Sequence, residues 1–63
     1  MNDEKVMVAE MMVKYGGGFV QALGLALSKA DWNNTVRIQS AFPDYWEQYL
    51  ATGEAEVERD KQS

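Results

Sequence analysis

Six basic and ten acidic side chains in 63 residues give a formal net charge of -4, and the chain has neither cysteine nor histidine. Disulfide frameworks, Cys/His zinc sites, thiol nucleophiles and histidine general bases are thereby excluded. One small domain is the ceiling, and a chain this short buries only about 60% of the surface that its unfolded form exposes, so dense helix packing or a partner must supply stability.

The charge is uneven. Residues 1–30 hold three acids and three bases, whereas residues 31–63 hold seven acids and three bases. Phosphate backbones repel such a surface and reward Lys/Arg clusters, so direct nucleic-acid binding is not expected. The longest apolar stretch, Phe19 to Leu27, spans nine residues and already contains Gln21 and Gly24. A membrane-spanning helix needs about 20 apolar residues. The opening Asn2, Asp3 and Glu4 lack the basic region of a secretory leader. A soluble, cytoplasmic protein is the expectation.

Four short helices are predicted in chain order, over 3–14, 19–30, 32–41 and 43–52. Asn2 or Asp3 can cap the first, and Val8, Met11, Met12 and Tyr15 recur along it at three- and four-residue spacing. Glu10 and Lys14 stand four apart in the order that favours an ion pair. Gly16 to Gly18 then interrupt, with a turn through positive φ as the expected geometry. The second helix, apolar over most of its circumference, is expected at the centre or in a subunit contact. Gly24 and Ser28, small and four apart, would let another backbone approach closely.

Asp31 is a good cap for the third helix, whose face carries Trp32, Thr35, Ile38, Ala41 and Phe42. A strand over 35–39 competes, but a strand needs partners and nothing else alternates. Pro43 ends that helix and can open the next. Gly53 is expected to stop the fourth helix, leaving 1–53 as one domain and 54–63 as an acidic tail, frayed or solvated. The fold class expected is an all-α bundle of three to four helices. Its predicted core surrounds the second helix and comprises Met11, Phe19, Leu23, Leu27, Ile38, Phe42 and Trp46.

Catalytic equipment is scarce. The glycine run resembles an anion-binding loop, but Phe19-Val20 stands where Lys-Ser/Thr would enter the helix. Glu54, Glu56 and Glu58 alternate without the glycine and spacing of a calcium loop. Ser28, Thr35 and Ser40 have no histidine to activate them. Neither a metal nor a cofactor is expected, and the chain does not read as an enzyme. Met7, Met11 and Met12 read as adaptable packers filling gaps against the second helix.

The aromatic cluster is the richest feature. Phe42, Tyr45, Trp46 and Tyr49 fall within eight residues. Such a stripe usually packs inward. It can also supply a contact hot spot, because Trp and Tyr are enriched there. The candidate partner-binding residues are therefore Asp44, Tyr45, Trp46, Glu47 and Tyr49. Stacking on single-stranded nucleic acid would require a basic track beside the rings, and only Arg37 is near.

The string KYGGGFVQALGLALSKAD at 14–31, followed by Ala41-Phe42-Pro43-Asp44-Tyr45-Trp46-Glu47-Gln48-Tyr49, resembles short uncharacterised proteins encoded by tailed phages and prophages. The resemblance implies a small helical protein of a mobile element, working in the host cytoplasm. Such proteins often act by binding host or phage machinery, including as inhibitors of host defence.

The leading expectation is a non-enzymatic protein-binding module whose acidic half favours a partner with a basic surface, with occlusion of a host protein as its mode of action. The alternative is a homo-oligomer burying helix 2 or helix 4 against a copy of itself. A helix-turn-helix DNA-binding regulator has the right helix count, but its third helix offers only Arg37 with Asn33, Asn34 and Gln39.

Overall fold

Apolar stripes at helical spacing and well-placed helix punctuation organise the chain into four helices: α1 Asp3–Tyr15, α2 Gly18–Lys29, α3 Trp32–Ala41 and α4 Pro43–Gln62. The structure, a computed structural model, describes the backbone of residues 3–62 and the side chains of residues 4–60. The expected all-α bundle is what forms. No strand occurs among the described residues, so 35–39 is helical. The cap expected at Asn2 or Asp3 involves side chains outside the described residues.

The punctuation is legible atom by atom. Asp31 caps α3, its Oδ1 accepting from the Asn34 amide at 2.9 Å. The Thr35 hydroxyl, buried inside the bundle, donates to the Asp31 carbonyl at 2.8 Å. Phe42 serves two helices. Its N–H donates to Ile38 at 2.9 Å to close α3, and its carbonyl accepts from the Trp46 amide at 3.0 Å to open α4. Pro43 in the first position of α4 has no N–H to leave unsatisfied.

The turn between α1 and α2 corrects one expectation. No glycine among the described residues has positive φ; Gly17 is extended, with φ -76° and ψ -169°. Space decides instead. A Cβ on Gly16 would collide with Val20, whereas Gly17 and Gly18 face open space.

The centre of the bundle is α1, not α2. Val8, Ala9, Met11 and Met12 are all buried, and α1 packs against both α2 and α4. The α1–α2 contact is close because Gly24 has no side chain. A Cβ there would lie 2.7 Å from the Met12 Cβ and 3.0 Å from the Ala9 carbonyl oxygen. Leu27, Met11 and Trp46 occupy the core as expected, and Leu23 and Ile38 pack against it. Phe19 does not. It remains 61% exposed, because α2 turns only Val20, Gly24 and Leu27 fully inward. Met12 packs at Gly24 of α2 as expected of a gap filler, while Met7 and Met11 also reach Gly53 of α4.

Gly53 does not stop α4. The helix runs to Gln62, so the expected boundary at 52 is corrected; residues 54–60 are helical and, Glu56 apart, exposed to solvent. Gly53 is buried, and Met7 and Met11 lie where its side chain would be. Its missing Cβ serves interhelical contact, a role that overrides the intrinsic helix penalty of about 1 kcal/mol. One turn later, Glu56 accepts from the Tyr15 hydroxyl and pairs with Lys14 at 3.1 Å. Lys14 thus chooses Glu56 over Glu10. This clasp fastens the acidic end of α4 to the end of α1.

Gly24→Ala should destabilise the fold by about 1–3 kcal/mol, since backbone and Met12 would both have to yield. Gly18→Ala should stabilise it by about 0.4–1 kcal/mol, because an unstrained alanine there removes unfolded-state freedom. Urea denaturation of the two variants checks both signs. The clasp also has a pH signature. Hydrogen bonds from Tyr15 and Lys14 hold the Glu56 carboxyl below its ordinary 4.5, and the bond to Glu56 raises Lys14 above 10.5. Its contribution is therefore whole between those ordinary values, lost as pH falls through the lowered Glu56 pKa and as pH rises through the raised Lys14 pKa. Backbone amide shifts of residues 54–60 followed from neutral to acid pH should report the loss, and Glu56→Gln should remove it.

Candidate functional site

The residues singled out on α4 part company in the folded chain. Trp46 is 5% exposed and Tyr49 8% exposed, so both belong to the core. The Trp46 indole donates to the Glu4 carboxylate at 2.9 Å, which satisfies its N–H and ties α4 to the start of α1. Neither ring is on a surface that a partner can reach. The reason is register: positions 46, 49 and 53 share the face of α4 that meets α1.

Asp44, Tyr45 and Glu47 lie elsewhere. Tyr45 is half-buried, and Asp44 and Glu47 are exposed on the first two turns of α4. No ion pair or hydrogen bond within the described residues occupies either carboxylate. Tyr45 stacks with Phe42 at a centroid separation of 5.8 Å and an interplanar angle of 28°. Phe19 completes the cluster, edge-on to Phe42 at 5.8 Å and tilted over Tyr45 at 6.4 Å. Three helices thus meet at one end of the molecule, where the start of α2, the α3–α4 corner and the start of α4 each contribute one ring.

Each ring is placed by its element's boundary. Phe19 follows the glycine turn in the first turn of α2, and Phe42 is held at the corner by its own backbone bonds to Ile38 and Trp46. Sequence reasoning assigned Phe19 and Phe42 to the core, whereas Phe19 is exposed and Phe42 is only half-buried. A signal was present. An aromatic residue in the first turn of a helix has no preceding turn of its own to pack on, and both rings flank chain reversals.

The patch has no catalytic geometry. Among the described residues no group of acidic side chains is placed to hold a metal ion. Every buried side-chain polar atom described has a hydrogen-bond partner. Among the described residues no helix is long and apolar enough to cross a membrane. The arrangement can do one thing well: bury aromatic area against another surface.

Comparison of the chain with protein-family models, with curated proteins and with solved structures finds no match.

The two tryptophans give a direct check of this division, since Trp32 is 68% exposed. In a Trp32→Phe variant the remaining emission should be blue-shifted and resist iodide quenching. In the wild type, the Trp32 component should quench freely. Trp46→Ala should cost about 3–5 kcal/mol, as other buried aromatic truncations do, and is unsuitable as a binding variant.

Proposed function

We propose that this protein is a non-enzymatic binding module that docks through Phe19, Phe42 and Tyr45 onto a protein surface carrying basic groups. The observation that carries the reading is the exposed Phe19 ring, locked into a three-ring cluster with Phe42 and Tyr45. Exposed aromatic surface of this kind is costly to leave in water and is typical of contact anchors. The excess of acids in residues 31–63 supports a basic partner by charge complementarity.

The resemblance of residues 14–49 to short phage and prophage proteins supports a finer version. In it, the module is phage-encoded, works in the host cytoplasm and occludes a host protein, a defence protein among the targets such proteins serve. Occlusion fits a chain of 7.1 kDa that has surface to offer and little room for a shaped cleft.

Phe19→Ser and Asp44→Lys test the docking patch, because both positions are exposed and outside the buried core. Tagged wild type should retain from host lysate a specific protein, identified by mass, which Phe19→Ser loses by at least tenfold. Asp44→Lys should weaken capture most at low salt. Equal capture by wild type and Phe19→Ser, with both folded by circular dichroism, would refute the patch.

A further inference from the structure

A second surface, remote in character from the aromatic end, remains unexplained. Two grooves flank α1 on its outward side. The larger, about 480 Å³, lies between α1 and α2 and has Ala9, Val13 and Ser28 in its lining, with Lys5 and Lys14 beside them. The smaller, about 330 Å³, lies between α1 and α4 and includes Met7, Met11 and Val57. Val6 and Glu10 line both, so they form the ridge between the grooves.

This face is aliphatic where the other is aromatic. Val6, Leu25 and Val57 are about half exposed, and Val13 is exposed too. Leu25 belongs to the same face by register, because Gln21 bonds the Val13 carbonyl and Ser28 lines the larger groove.

We infer that this face binds a second copy of the chain, the Val6–Glu10 ridge of each copy lying in the larger groove of the other. The ridge and the groove sit side by side on one surface. A two-fold axis running alongside α1 therefore seats both at once, which is the reciprocity a closed dimer requires. Leu25, on the far rim of the groove, then falls over the partner's smaller groove and its Val57.

Charge favours the same occupant. Glu10 stands on the ridge with no cation bonded to it among the described residues, and the groove that receives it is edged by Lys5 and Lys14. Those ammonium groups donate to the Ala30 carbonyl and to Glu56 respectively, and each retains further N–H groups. The surrounding charges are Glu56 and Asp60, both on the smaller groove. The ridge and larger groove come mainly from residues 1–30, where acids and bases balance, so two copies of net charge -4 meet where their repulsion is least. A basic partner would instead prefer the acidic aromatic end.

Sedimentation equilibrium of the full chain across a concentration series tests the assignment. Wild type should move from 7.1 kDa towards twice that mass as concentration rises. Val6→Glu and Leu25→Glu, both at exposed positions, should weaken dimerisation at least tenfold while keeping wild-type circular dichroism. Glu10→Lys should weaken it likewise, and Glu10→Lys with Lys5→Glu in one chain should restore it. Phe19→Ser should dimerise as wild type does, which separates this interface from the docking patch. A chain monomeric at millimolar concentration, a mass beyond the dimer, or unchanged association of folded Val6→Glu and Leu25→Glu overturns the inference.

Discussion

The contact between Gly24 and the backbone of α1 is the constraint on which the bundle depends. Where a side chain would stand, Met12 and the Ala9 carbonyl already are. That approach lets Val8, Met12 and Leu27, all three fully buried, share one core in a chain with few large residues to spare. It also decides what α2 cannot bury. With its Val20–Gly24–Leu27 side pressed inward, Phe19 and Leu25 are left facing out on different sides. One close contact thus leaves a ring and an aliphatic side chain of α2 at the surface.

Those surfaces differ in chemistry. The aromatic end joins rings of α2, the α3–α4 corner and α4 on a chain whose second half is acidic, whereas the α1 face pairs short aliphatic side chains with charges of both signs. A surface with one sign of charge selects a partner of the other sign, and a surface with both can complement itself. Fastening of α4 by the clasp of Lys14, Tyr15 and Glu56 is what gives the second surface its far wall. Without that ordered end, Val57 would have no fixed place beside α1.

Helix positions were largely legible from residues whose effect is local. Asp31 as a cap, Pro43 as an opener and the stripe of α1 act through their immediate neighbours, and the structure realises each. Gly53 was misread because its helix penalty is local while its benefit, room for Met7, comes from a helix forty residues earlier. The choice between core and surface among the rings was equally hidden. Trp46 and Tyr49 are covered by α1, while Tyr45, one position from Trp46, is turned towards the end of the bundle. One hundred degrees of helix rotation separates those fates, and sequence spacing does not say where α1 will lie. The candidate site was therefore half legible: Asp44, Tyr45 and Glu47 were named, Phe42 was seen in the aromatic stripe but assigned to the core, and Phe19 had to be found.

Phe42 joins mechanics to recognition. Its amide closes one helix, its carbonyl opens the next, and its ring stands in the outer cluster. The side chain is thus a short lever attached to the corner of the backbone, with no flexible linker to absorb a push. A surface settled on that ring therefore bears directly on the residue whose backbone joins α3 to α4.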